Sequence, residues 1–378
     1  MHKVRHYAGI ALLVLGAFYL LLDGVRQPYF NWDIVGYVAS AYAVDGLQGA
    51  HLSQATYQDL RNATSPSTYY QLTQVDAPRG YRDRVFQDPQ ALQQQLPFYS
   101  VRVAYVGLMR LLNRQGVDLA RASYLISAVF AAASLLVAWP LARSLGVDLL
   151  WVPFVGLAAG LDMLARLSTP DALACFAMLL TAWMFLRGHR LRYLLAMILP
   201  AVRTDLVMLS VLMLVYDYWF DWKTAALSAL ACAVAVYGTI NAVSHNYGWL
   251  TLFNFQMMGI TPYPASMRID PWIADYVRVY QRAALDWVSS VQTLPSLLGL
   301  QLLFMGLRRL RSNPRQLATV SIFTVYALLH YLLFPLGELR FFTPSIMVVM
   351  LGALALLGPV RVEQDPSADS GHATVASI

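Results

Sequence analysis

The chain has 378 residues, 58% of them apolar and 13% charged, with a mean hydropathy of +0.50, where soluble domains carry roughly one-quarter charged residues. These proportions exclude a soluble enzyme and describe an integral membrane protein. The net charge of +6 is nearly all arginine, Lys3 and Lys223 being the only lysines, and no soluble segment interleaves basic residues with aromatics, which excludes nucleic acid as a partner.

The N-terminus, "MHKVRHYAGIALLVLGAFYLLLDG", joins a basic start to an apolar run, and no small-residue cleavage site follows Leu22. This predicts an uncleaved signal anchor. Crossing a bilayer takes about 20 apolar residues. Runs approaching that length lie at 7–22, 119–142, 149–167, 171–186, 191–202, 206–220, 224–243, 289–307, 317–335 and 339–357. The chain therefore reads as an all-α polytopic membrane protein of about ten transmembrane helices. Cys175 and Cys232 fall inside apolar runs and read as small core residues, without disulfide or metal spacing.

Arginine and lysine stay on the cytoplasmic side of short loops. With the N-terminus inside, the inner loops hold Lys3 and Arg5, then Arg143, then Arg187, Arg190 and Arg192, then Lys223, then Arg308, Arg309, Arg311 and Arg315, and last Arg361. The short outer turns hold only Arg166, Arg203 and Arg340. The same parity makes 97–112 an interfacial helix on the outer surface. It also makes 191–220 a hairpin of two short crossings, whose tip, "RTD" (Arg203, Thr204, Asp205), sits below the outer surface in a protein-lined cavity. Residues 1–358 thus form one membrane module with long outer loops at 23–118 and 244–288, and 359–378 form a disordered cytoplasmic tail. No internal repeat is visible.

Charges near the apolar runs gather at the outer face: Asp33, Asp162, Arg166, Asp171, Arg203, Asp205, Glu338 and Arg340. Ionisable groups at membrane depth mark functional sites by default, but each has a plain structural reading too. Asn31 can cap a helix in which Asp33 is a first-turn acid. Asp162 and Arg166, four apart, can form a helical ion pair. "STPD" (Ser168 to Asp171) is a helix start with a hydroxyl cap, Glu338 is a structural partner for Arg340, and His330 reads as a hydrogen-bonded packing residue. Arg203 and Asp205 are harder to dismiss, because a half-length helix ending in arginine at membrane depth is costly unless an anion meets it. Sunken arginines suit a lipid phosphate, and an acid across from them can take a proton from an incoming hydroxyl.

Several stretches resemble the GT-C superfamily of polytopic glycosyltransferases, which use polyprenyl-phosphate-linked sugars. They are "NWDIVGYVASA" after the first run, "LPFYSVRVAYVGLMRLL" before the second, "STPDAL", "AVRTDLVML" and "GELRFFTPSIMVV". The resemblance implies a GT-C-like fold in a bacterial inner membrane with both termini cytoplasmic. It implies Asp33 as general base, Arg203 and Arg340 as ligands of the donor phosphate, and Asp171 as an orienting residue. Asp205, Arg166, Glu338 and Tyr37 complete the expected substrate-binding set. The implied reaction is an inverting hexosyl or pentosyl transfer from a polyprenyl-phosphate sugar to a glycan, a lipid-linked precursor or an exported protein. The first loop carries a single Asp rather than an acidic pair, so no metal or other cofactor is expected. The rival reading is a lipid or glycolipid transporter, or flippase, without catalysis.

The orientation is testable. In a chain whose own cysteines are replaced by alanine, a cysteine at Tyr70 is expected to react with an impermeant maleimide added outside intact cells. Labelling only from the cytoplasmic side reverses the topology.

Overall fold

Helices account for every regular element among the residues that the computed structural model describes, which are 2–267, 272–289, 301 and 313–357. An isolated bridge between Tyr29 and Leu167 is the one β contact among them. Apart from residues 289 and 301, the run predicted at 289–307 lies outside the described residues, as do Arg308, Arg309, Arg311, Arg361 and the tail at 359–378.

The first helix, α1 (His2–Arg26), is followed by six helices that fill the long loop predicted at 23–118: α2 (Asp33–Val44), α3 (Gly49–Ala63), α4 (Pro66–Thr73), α5 (Tyr81–Gln87), α6 (Pro89–Tyr99) and α7 (Val103–Asn113). Then come α8 (Leu119–Leu145), α9 (Trp151–Ala158), α10 (Leu161–Arg166), α11 (Asp171–Leu186), α12 (Leu191–Val202), α13 (Val207–Phe220), α14 (Lys223–Val243), α15 (Trp249–Met257) and α16 (Ile273–Ser289). The last described helices are α17 (Pro314–Leu333) and α18 (Leu339–Leu357).

Five of these are long and apolar enough to cross a membrane: α1, α8, α14, α17 and α18. The chain is thus a helical, multi-pass membrane protein. The other predicted runs are shorter or interrupted. At about 1.5 Å per residue, the 12 residues of α12 span about 18 Å of a core about 30 Å thick. The run at 149–167 breaks at Gly160, whose φ of +84° ends α9 and starts α10, and a Cβ there would stand 2.6 Å from Leu339.

At the centre, α8 packs against α1, α10 and α11. Its buried face carries Ser123, Ser127, Ala131, Ser134 and Ala138, small side chains that let helices approach closely where lipid offers no hydrophobic drive. Val129 and Leu136 point away from that face and are exposed. On the far side of the bundle, α14 packs on α12 and α13 while Leu227, Val234 and Val243 face outward.

The helices between α1 and α8 form a built layer. Ser65 and Asp88 cap α4 and α6 by accepting the N–H groups of Thr68 and Gln90, each with proline in the first turn. The layer is anchored to the bundle by Asp59 of α3, whose carboxylate accepts the N–H groups of Leu119 and Ala120 at 3.0 and 2.9 Å and the Tyr42 hydroxyl at 3.0 Å. Burial pushes the Asp59 carboxyl up, and the two N–H groups oppose that shift. Asp118, next to α8, makes no side-chain cap.

The surface helix predicted at 97–112 is two helices, α6 and α7, separated at residues 100–102. Tyr99, at the end of α6, lies against the bare backbone of Gly36 in α2, where a Cβ would stand 2.2 Å from its ring.

Charges do not gather at one end only. At the opposite ends of α12 and α13, Arg192 donates to Asp217 at 2.6 Å and also to Asp221, which pairs with Arg315 of α17. Arg192 and Asp217 are 3% and 1% exposed. Counting arginines by loop treats each as a free surface charge, whereas Arg192 is a buried bond between helices.

Gly36→Ala is expected to force Tyr99 out and destabilise the protein by about 1–3 kcal/mol, read as a lower unfolding midpoint in detergent. In a Tyr99→Ala background the same change is expected to cost far less; equal losses in both backgrounds would refute the contact.

Candidate functional site

Asp33 opens α2. The residue before it, Trp32, is helical and makes no side-chain cap, so Asn31 does not cap the helix as its position suggested. Instead the Asn31 amide donates to Asp33 Oδ2 at 2.6 Å. Arg340 Nη1 donates to the same oxygen at 2.9 Å, and the Tyr99 hydroxyl donates to Oδ1 at 3.2 Å. Burial, reinforced by the Asp33 charge, pushes the Tyr99 phenol well above its ordinary value, so Tyr99 stays a donor. The Asp33 side chain is still 28% exposed. A carboxylate has about four acceptor positions, and Oδ1 uses one of them for Tyr99.

Arg340, in the first turn of α18, stands among three carboxylates. Besides Asp33, its Nη1 is 3.7 Å from Asp171 Oδ2 and its Nε is 2.5 Å from Glu338 Oε2. Asp171, the first residue of α11, is 4% exposed and accepts the Thr169 hydroxyl at 2.7 Å. The hydroxyl of "STPD" thus braces a carboxylate and leaves the helix start without a side-chain cap.

The other oxygen of Asp171 accepts Arg203 Nη1 at 2.5 Å. Arg203 ends α12 in an extended conformation, with φ −149° and ψ 131°, and holds Asp205 in a two-point fork: Nε to Oδ1 and Nη2 to Oδ2, both 3.1 Å. All three guanidinium nitrogens of Arg203 are therefore committed to carboxylates. Asp205 also accepts the Tyr326 hydroxyl at 3.0 Å and lies 3.5 Å from His330 Nε2. The Phe341 ring lies within reach of both guanidiniums, its centre 4.9 Å from Arg203 Cζ and 4.8 Å from Arg340 Cζ. Its face is attractive to both cations.

The structure thus joins Asp33, Arg340, Glu338, Asp171, Arg203 and Asp205 in one network. It does not bring in Arg166 or Tyr37. Arg166 pairs with Asp23 of α1 at 2.6 Å rather than with Asp162, and so ties α10 to α1. Tyr37 is 6% exposed and lies edge-on behind Tyr99 and between it and Tyr105, where it fixes Tyr99. Sequence reasoning passed over Tyr99 and Tyr326 and gave His330 a packing role. Tyr326 and His330, four apart on α17, share one helix face, the signal that could have found them.

Four carboxylates here face two guanidiniums, Arg203 and Arg340. A third, Arg102 at the start of α7, has its Nε shut off from solvent without a partner. Surplus carboxylate, with Asp33 the most exposed Asp of the network, suits a ligand rich in hydroxyl groups and a proton transfer at Asp33. Among the described residues, no three His, Cys, Asp or Glu side chains converge to hold a metal ion.

Arg203→Ala leaves the buried Asp171, and the half-buried Asp205 beside it, without their cation, which is expected to cost about 3–5 kcal/mol, measured by unfolding in detergent. Adding Asp171→Asn and Asp205→Asn is expected to restore part of the loss; unchanged stability of Arg203→Ala would show the fork to be dispensable. No family model, no curated protein and no solved structure matches this chain.

Proposed function

We propose that the chain is a membrane glycosyltransferase that moves a sugar from a polyprenyl-phosphate-linked donor to an acceptor hydroxyl, with inversion and with Asp33 as general base. The observation that carries this reading is the Asp33 carboxylate: accessible, and held by donors from three separate segments, Asn31, Tyr99 and Arg340. Asp33 takes the hydroxyl proton as the acceptor oxygen attacks the anomeric carbon. The bond from that carbon to the phosphate oxygen breaks, and polyprenyl phosphate leaves with the electron pair. Arg340, beside Asp33, offsets the charge that develops on the leaving phosphate. Arg203 acts at one remove, by fixing Asp171 against Arg340.

On this reading the site opens to the outer face of a bacterial inner membrane, with both termini in the cytoplasm, and the layer α2–α7 receives the acceptor, whether glycan, lipid-linked precursor or exported protein. One observation favours transport instead. The break at Gly160 and the half-length hairpin ending at Arg203 are the interrupted helices from which transporter sites are built.

Turnover separates the two readings. Purified protein given polyprenyl-phosphate hexoses and pentoses, together with extracted envelope glycan, lipid and protein, is expected to release polyprenyl phosphate and label one acceptor fraction. Asp33→Asn is expected to lower that rate by about 10²–10⁴-fold while the protein keeps its unfolding midpoint. An unchanged rate removes Asp33 as the base, and movement of the lipid across vesicles without sugar transfer supports the transporter.

A further inference from the structure

The end of the bundle away from Asp33 carries positive charge that the site does not use. The turn from α11 to α12 reads Arg187, Gly188, His189, Arg190, and α14 begins at Lys223, two residues after Asp221. Asp217 and Asp221, the acids of α13 and of the turn that follows it, are already spent. Arg192 takes both, and Asp221 also pairs with Arg315. Arg187, Arg190 and Lys223 are left over, exposed and without an ion pair among the described residues.

Two of these three cations are held by rings. The Arg190 guanidinium stands over Trp222, 5.1 Å from the ring centre, and the Lys223 ammonium stands 5.7 Å from the centre of Tyr218. The buried pair of Arg192 and Asp217 joins α12 to α13, and α14 packs on both. The two turns are thereby kept side by side.

Around the cations the surface is aromatic. Trp219, Phe220 and Trp222 are 67%, 73% and 49% exposed. Tryptophan in a membrane protein sits at headgroup level, so these rings set the turn from α13 to α14 at the depth of the lipid phosphates. Fixed cations at that depth attract anionic headgroups. A phosphatidylcholine brings its own ammonium, which the arginines repel; a phosphatidylglycerol does not. The chain's own acids at Glu363, Asp365 and Asp369 are the competing anions, but 358–378 contains no Phe, Tyr or Trp to meet the exposed rings.

We propose that Arg187, Arg190 and Lys223 bind the headgroup of an anionic phospholipid in the leaflet farther from Asp33, with Trp219 and Phe220 against its acyl chains. Trp222 positions Arg190. The site is independent of the sugar-transfer reading, yet α12 runs from it to Arg203, so the lipid braces the helix that ends in the fork.

Full-length protein in detergent, titrated with phosphatidylglycerol, tests this by native mass spectrometry and by the unfolding midpoint. Wild type is expected to retain phosphatidylglycerol and to unfold at a higher temperature with it, and to do neither with phosphatidylcholine. Arg187→Gln, Arg190→Gln and Lys223→Gln combined are expected to weaken phosphatidylglycerol about tenfold or more while the midpoint of the lipid-free protein stays unchanged. Trp222→Ala is expected to lose part of the affinity. Arg61→Gln, Arg79→Gln and Arg114→Gln combined remove the same charge elsewhere and are expected to leave binding intact. Equal losses in the two triple variants, equal retention of phosphatidylcholine, or a midpoint rise reproduced by inorganic phosphate overturns the proposal. A lower lipid-free midpoint in the first triple variant, matched by a chain that ends at Leu357, makes the acidic tail the occupant and overturns it as well.

Discussion

The fork between Arg203 and Asp205, closed on its other side by Asp171, is the interaction on which the site depends. Arg203 is 6% exposed and stands where a helix of only 12 residues stops. A guanidinium in that position survives because each of its three nitrogens donates to a carboxylate, and those carboxylates come from different parts of the chain. Asp171 brings the start of α11, Asp205 brings the start of α13 through its neighbours Thr204 and Leu206, and Tyr326 joins α17 to the same acid. Arg340 then extends the network from Asp171 to Asp33 in α2. The ionic chain thus connects the bundle to the layer of short helices.

Removing one member of such a chain differs from removing a surface pair. An exposed pair is worth about 0–1 kcal/mol, whereas a buried charge that loses its partner stays buried and uncompensated. The two most exposed members, Asp33 and Glu338, lie at the end where Arg340 stands. Rigid pairing deep in the network and freedom at its rim are what a preorganised site requires.

Much of this was legible from residue types and spacing. A charged residue in an apolar surrounding needs a partner, so Asp33, Asp171, Arg203, Asp205, Glu338 and Arg340 stood out, and the structure brings those six together. What stayed hidden depended on distant neighbours. The four-residue spacing of Asp162 and Arg166 says nothing of Asp23, which lies 143 residues from Arg166 and takes its Nε. The short α12 and α13 were expected from the length of their hairpin, but apolar length did not separate α11, with 16 residues, from the full crossings, because a run buried in protein needs no bilayer thickness. Nor did composition reveal Gly36, whose missing side chain admits Tyr99 to Asp33.

Asp59 carries a consequence for how this chain is assembled and rearranged. It lies 60 residues ahead of the Leu119 N–H it accepts, so during synthesis the acid emerges well before the helix end it completes. The start of α8 stays unfinished until both have been delivered to the same side of the bilayer. The layer is for that reason no detachable module. A chimera that exchanges the α2–α7 segment for that of another chain must bring its own acceptor for the first amides of α8, or open the central helix at its end.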